Sequence, residues 1–359
     1  SLVSQLLLPV AQSAFAKAPT QQPRSLREVS ALSFRTKGAI SDPRAEFEAV
    51  ITRLQDVLLR PIDHCLPGNP FKYDFQVFPM TPTVLIIGNH SSGKSTFINQ
   101  LMGTTTQETG LAPCDDGFTV LQRHPEATKV EDGPTTCGCT ENRPFRELKQ
   151  FGPIFVGHLR RKWLRMPEES TLPFGLQVVD TPGMLDTPSA AKGALGRGYN
   201  FVQAVRWWAK RADLILLLFD TSKPGTTGET LEVLTKSLAG YDHKFLIVLN
   251  KADQLDHAMD FAHVYGTLGW ALSKVIPQKD LPRMLTMCNE GFRGNCRPGE
   301  SRSVPIEDFL KRREQVIKEV YRAKGRHWDN VVTSLEEIMR QIAMMCTMTN
   351  AVRRRALAV

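Results

Sequence analysis

Apolar and polar residues follow two rhythms along this chain. Short, nearly unbroken apolar runs occur at 83–88 (TVLIIG), 176–180 (LQVVD), 214–220 (LILLLFD) and 245–250 (FLIVLN), with a fainter one at 284–288 (MLTMC). Runs of this length, rich in Val, Ile and Leu, predict strands buried on both faces. Between them, 94–103, 198–211, 228–239 and 259–275 read as helices. Strands alternating with helices predict an α/β fold, a mostly parallel sheet with helices on both faces. Upstream, Phe47, Val50, Ile51, Leu54, Val57 and Leu58 recur with a helical period, predicting a helix over 44–60 that ends at Pro61, Pro67, Gly68 and Pro70. Downstream, Phe309, Val316, Ile317 and Val320 share one helical face, and Val331, Leu335, Ile338, Met339, Ile342 and Met345 share another. That pattern predicts two helices broken near Gly325, packed with helix 44–60 as a small helical domain. The expected division is an arm over 1–40, the first part of the helical domain over 41–80, the sheet domain over 81–290, a linker over 291–304 and the second helical part over 305–359.

Composition narrows the partners. The 359 residues are 42% hydrophobic and 23% charged, as in a globular protein, and the net charge of +8 favours anionic partners such as nucleotide, lipid headgroups or RNA. No run of 18 apolar residues predicts a membrane-spanning helix. Seven cysteines without a CxxC argue against a disulfide framework, and Cys137-Gly138-Cys139 is spaced too tightly for a zinc knuckle. The first forty residues hold Lys17, Arg24, Arg27, Arg35 and Lys37 against Glu28 alone. Such a stretch reads as a mitochondrial or plastid targeting remnant, or as an arm lying on a membrane or partner at the cytoplasmic membrane periphery. The start at Ser1 is consistent with processing or omission of upstream residues.

Three motifs carry chemistry. Gly88-Asn89-His90-Ser91-Ser92-Gly93-Lys94-Ser95-Thr96 fits G-x-x-x-x-G-K-[ST] between a predicted strand and a predicted helix. Its backbone N–H groups would cradle phosphates, Lys94 would reach the β- and γ-phosphates, and the Ser95 hydroxyl would ligate Mg²⁺. Asp180-Thr181-Pro182-Gly183 ends a second apolar run, 86 residues after Lys94. Asp180 would hold Mg²⁺ through water and the Gly183 N–H would meet the γ-phosphate. Met184 stands where a Ras-like enzyme carries its water-orienting glutamine, so Ser91 is the candidate to assist the chemistry. Asn250-Lys251-Ala252-Asp253 ends a third run: Asp253 can accept two hydrogen bonds from guanine, Asn250 would brace neighbouring loops, and the Lys251 stem would lie over the base.

At this point a family resemblance enters. RPFRELKQFG (143–152), DTPGML, RGYNF (197–201), LFD (218–220), VLNKADQL (248–255) and VYGTLGWALSKV (264–275) resemble the Eps15-homology-domain (EHD) ATPases and sarcalumenin, a branch of the dynamin superfamily. The resemblance runs from about 44 to 345. It implies a P-loop GTPase-type domain, a helical domain made from both flanks, dimerisation through the nucleotide domain, and assembly on curved anionic membranes. It also implies adenine nucleotides, whereas the chemistry of NKAD favours guanine. GTP/GDP and ATP/ADP both stay open, with Mg²⁺ as the metal.

The departures are as informative. Where the family writes Pro-Thr-Thr-Asp, this chain writes Pro113-Cys114-Asp115-Asp116, and it carries His90 where the family has tyrosine. The missing threonine would coordinate Mg²⁺ and place the attacking water. Asp115, Thr119 or one of Thr104, Thr105 and Thr106 are the candidate replacements, and hydrolysis is expected to be slow or lost. The family's peptide-binding EH domain is expected to be lacking, as the sequence ends at Val359. Two basic clusters, HLRRKWLR (158–165) and RWWAKR (206–211), read first as helices with a solvated basic face and a buried tryptophan, and second as RNA or lipid contacts. RAKGRHW (322–328) is the weak candidate for a membrane-contacting tip. The leading expectation is a dimerising nucleotide-binding protein acting at a membrane. The alternative is a structural or assembly subunit of an organellar complex, with protein or RNA partners and nucleotide as a fixed cofactor.

Overall fold

A computed structural model describes residues 81–107, 117–138, 143–165, 170, 172–184, 197–224, 228–276, 283–289 and 305–357. The predicted helix 44–60, Asp115 and the linker 291–304 lie outside them. Two compact units divide the chain, one comprising Val77–Asp329 and the other Ser1–Gln76 with Asn330–Val359.

The first unit is built on an eight-stranded sheet in the order β3-β4-β2-β5-β1-β6-β7-β8. The strands are β1 (Thr83–Gly88), β2 (Thr119–His124), β3 (Lys129–Asp132), β4 (Arg160–Arg165), β5 (Gln177–Asp180), β6 (Leu214–Asp220), β7 (Phe245–Asn250) and β8 (Met284–Thr286). Pairing is parallel from β5 through β1, β6 and β7 to β8, and again between β2 and β4. It is antiparallel where β2 meets β5 and β3 meets β4. The helices are α1 (Lys94–Met102), α2 (Gly133–Gly138), α3 (Arg143–Arg146), α4 (Pro153–His158), α5 (Phe201–Arg211), α6 (Gly228–Glu232), α7 (Ala258–Ser273) and α8 (Ile306–Leu357). One turn of π-helix, Val233–Ser237, extends α6.

The period-2 alternation of β1 separates two cores. Val84 and Ile86 join an aliphatic core with Phe97, Ile98 and Leu101 of α1 and Val316, Val320 and Ala323 of α8. Leu85 and Ile87 join a second core rich in rings, including Phe118, Phe155, Trp207 and Trp208. Phe118 and Trp208 stack at 6.4 Å, and Trp207 meets Trp208 edge-on at 4.8 Å. Both faces are thus covered, as central parallel strands require.

Two expectations are corrected. HLRRKWLR is not a helix: Arg160–Arg165 is β4, between β2 and β3, and Trp163 is only half-buried. Its basic side chains are accommodated individually, Arg161 lying over Trp163 at 4.2 Å and Phe145 at 4.8 Å. Strand pairing on both edges outweighs the helical spacing. RWWAKR does lie in a helix, α5, with Trp207 and Trp208 buried. The second correction concerns Gly325, which interrupts nothing, since α8 runs through it. A single internal glycine costs about 1 kcal/mol, which packing of the same helix on the sheet offsets. Residues 322–328 are accordingly mid-helix rather than a tip between helices: Lys324 Nζ donates to Phe174 O at 2.6 Å, and His327 is fully buried against Asp213 at 2.9 Å. Asp213 also accepts from the Thr83 N–H at 2.9 Å.

Candidate functional site

The carboxyl ends of β1, β5 and β7 bring the three motifs together, the usual place for a site in an open α/β sheet. After β1 the chain folds back over 89–93 and enters α1. Ser91 and Gly93 take positive φ, 62° and 90°. A Cβ on Gly93 would lie 2.3 Å from Asn250 Nδ2, so glycine is required there by both torsion and space. The same Asn250 amide donates to Ser92 O at 2.9 Å, fastening the loop to the end of β7. Asn89 Oδ1 accepts from the Thr230 hydroxyl of α6 at 2.8 Å.

Lys94, 7% exposed, donates from Nζ to the carbonyls of Gly88 and Asn89, each at 3.0 Å. Burial lowers its pKa to about 8; the Asp180 carboxylate opposes that shift and the Arg197 guanidinium adds to it. Ser95 and Thr96 occupy the first turn of α1, half-buried, as are His90 and Ser91.

The second motif pairs with the first through backbone. Met184 N donates to Gly88 O at 3.1 Å and His90 N donates to Met184 O at 3.0 Å. A Cβ on Gly183 would sit 2.7 Å from His90 Cα, which is why the approach needs glycine. Met184, 2% exposed, belongs to the ring-rich core. The Thr181 hydroxyl donates to Ile86 O at 2.9 Å. Asp180 is buried and accepts from Gln107 Nε2 at 2.8 Å; Gln107 Oε1 in turn accepts from Lys162 Nζ at 2.9 Å. Arg197 donates from Nη2 to Gly183 O and to Glu229 Oε2, the latter at 3.2 Å.

At the third motif, Lys251 has φ 62°, and its Nζ meets Asp220 Oδ2 at 2.7 Å. Thr221 Oγ1 donates to Lys251 O at 3.1 Å. Asp253 is buried in the turn Ala252–Gln254. Of the candidate replacements for the missing threonine, Thr119 is buried opposite Asp180 in the β2–β5 register, and the Thr106 hydroxyl donates to Asn99 Oδ1 at 3.3 Å. The motifs identify the loop, Asp180, Gly183 and the NKAD residues. They do not reveal Gln107, Lys162, Arg197, Glu229 or Thr230, of which Lys162 and Arg197 fall in quoted segments, HLRRKWLR and RGYNF.

Chemically, the arrangement is an anion cradle. Loop N–H groups at a helix start, a buried ammonium and a buried guanidinium converge, with Asp180 placed to carry a hard cation. The residues fit a Mg²⁺–phosphate group: glycine at 93 and 183 lets the loop close against Asn250 and His90, and the Lys94 ammonium, disfavoured by burial, is stabilised by added negative charge.

Residues 84–252 match the dynamin family. Human EH domain-containing protein 1 is 34% identical over 209 residues, covering 58% of this chain and 37% of the relative. EH domain-containing protein 1 of Arabidopsis thaliana is 34% identical over 242 residues, 65% of this chain and 42% of the relative. The chain therefore spans well under half the length of these curated relatives. Among solved structures, an oligomerised bacterial dynamin pair aligns with a TM-score of 0.42 and 16% identity, covering 92% of this chain and 53% of that one.

Proposed function

With residues 84–252 a dynamin-family domain, we propose that this chain binds the triphosphate of a purine nucleotide together with Mg²⁺, dimerises through that domain and acts at an anionic membrane surface, with slow hydrolysis. The observation that carries the reading is the backbone pairing of His90 and Met184, which sets the phosphate loop and the end of β5 side by side above the buried Lys94. Gly88 to Thr96 and the Gly183 N–H hold the phosphates. Ser95 and Asp180 would hold Mg²⁺, which would supply charge neutralisation to the phosphates. Asn250, Lys251 and Asp253 form the base end, and guanine and adenine are the two bases to be tested. Slow turnover follows from Met184, an apolar side chain committed to the core that cannot orient water, and from Cys114-Asp115 in place of the family's threonines. Ser91, Thr119 and Asp115 remain the proposed sources of assistance.

The test is extraction and chromatography of bound nucleotide, then phosphate release from Mg·GTP and Mg·ATP with and without anionic liposomes, with size-exclusion chromatography in parallel. The expected result is bound nucleotide, release below about 10⁻² s⁻¹, stimulation by liposomes and a nucleotide-dependent dimer. Failure to bind either nucleotide would sink the reading. Intact triphosphate without release, even on liposomes, would favour a structural subunit that keeps nucleotide as a fixed cofactor.

A further inference from the structure

Arg197 is the least explained charge near the cradle. Its side chain is 5% exposed and its ion-pair partner Glu229 is 1% exposed. A guanidinium has five N–H donors. Nη2 is used on Gly183 O and Glu229 Oε2, and the ring of Phe201 lies 4.1 Å from the guanidinium carbon. Nε and Nη1 are buried and have no hydrogen-bond acceptor among the described residues. Native structures rarely leave charged donors buried in this way, and one that does so beside a ligand cradle is arranged for an acceptor.

Its position indicates which acceptor. Arg197 holds the carbonyl of Gly183, a residue packed against the phosphate loop at His90. Its charge is also felt at Lys94. Lys94 holds the loop carbonyls and Arg197 holds the Gly183 carbonyl, so the two cations border the same cradle. Glu229 neutralises the guanidinium from the α6 side, and the neighbouring Thr230 ties α6 to Asn89 of the loop.

We propose that Arg197 is the residue that distinguishes triphosphate from diphosphate, supplying from the same chain a bidentate-capable cation to the γ-phosphate at the place where Met184 supplies nothing polar. The inference rests on the nucleotide reading above and adds to it a specific discriminating residue. Arginine suits the task because its fork keeps its charge at all working pH values and matches phosphate oxygens two at a time.

The experiment measures the ratio of dissociation constants for fluorescent diphosphate and triphosphate analogues, guanine and adenine, with Mg²⁺, in the full chain. A misfolded fraction lowers both apparent affinities alike and cancels from the ratio. Wild type is expected to prefer triphosphate. Arg197→Gln is expected to reduce that preference by about 10- to 100-fold with diphosphate affinity nearly unchanged. Glu229→Gln, which keeps the arginine and removes its neutralising partner, is expected to raise the preference by about threefold or more. An unchanged ratio in both variants would overturn the assignment of Arg197 while leaving nucleotide binding intact. If Arg197→Gln cannot be purified folded, the Glu229→Gln ratio decides alone: a rise supports the assignment and no rise overturns it. Wild type that binds none of the four analogues would overturn the nucleotide reading and this assignment with it.

Discussion

The two ends of the site are built differently. At the phosphate end, charged side chains are buried: Lys94, Asp180, Arg197 and Glu229 are nearly out of solvent. At the base end, the buried Asn250 acts through a neutral amide on Ser92 O, the buried charges are the carboxylates of Asp220 and Asp253, and the cation Lys251 is partly exposed beside Asp220. The first arrangement stores electrostatic tension that an anionic ligand relieves. The second fixes shape, and its cation Lys251 is already paired with Asp220. Changes at the phosphate end should therefore alter binding energy and its pH dependence, whereas changes at the base end should alter which ring is accepted.

The largest effect is expected where the two ends touch. Gly93→Ala places a methyl against the Asn250 amide and forces an L-residue to φ 90°, so the loop must shift. Affinity for both nucleotides should fall by more than about 100-fold, because a displacement near 1 Å can cost that much; isothermal titration calorimetry would show it. Loss for one nucleotide alone would mean that the two ends are not mechanically joined there.

A smaller effect, confined to the base end, is expected from Asp253→Asn. Guanine-nucleotide affinity should fall by about 10- to 100-fold, the cost of one or two charge-assisted hydrogen bonds. Adenine-nucleotide affinity should stay within about twofold. Competition titrations with the two triphosphates measure this. A fall for adenine as large as for guanine would assign Asp253 to loop structure.

The smallest effect comes from proton linkage at the phosphate end. Burial holds the Lys94 pKa at about 8, below the ordinary lysine value of 10.5. Bound phosphate raises it again, so nucleotide affinity should be flat below pH 8 and weaken above it, by up to about tenfold per pH unit. Without nucleotide the sign reverses: the unfolded lysine holds its proton up to 10.5, so folding stability should increase as pH rises from about 8 toward that value. Binding titrations at pH 7 to 9.5 and urea unfolding over the same range check both signs. Flat profiles in both would place the Lys94 ammonium in better contact with water than its burial implies.

Much of the frame is visible in the residues. β1, β6 and β7 are buried on both faces and therefore read as plain apolar runs. The opposite flank hides its strands: β3 and β4 carry Lys129, Arg160, Arg161 and Lys162, whose polar heads mask a backbone committed to pairing. The site divides in the same way. Lys94, Asp180 and Asn250 sit in motifs because their spacing along the chain is fixed by a strand and its loop. Gln107, Arg197 and Thr230 reach partners 73, 32 and 141 residues away. Contacts of that kind leave no periodic mark on the sequence.

The joint at Asp213 gives β1 a second handle. One carboxylate oxygen grips both the Thr83 N–H, at the foot of the strand, and His327 on α8. Five residues further on, the same strand ends at Gly88, where the phosphate loop begins. A strand of that length is a stiff rod of about 20 Å. A displacement of α8 at His327 therefore meets the foot of this rod through a single carboxylate, and the phosphate loop hangs from its other end.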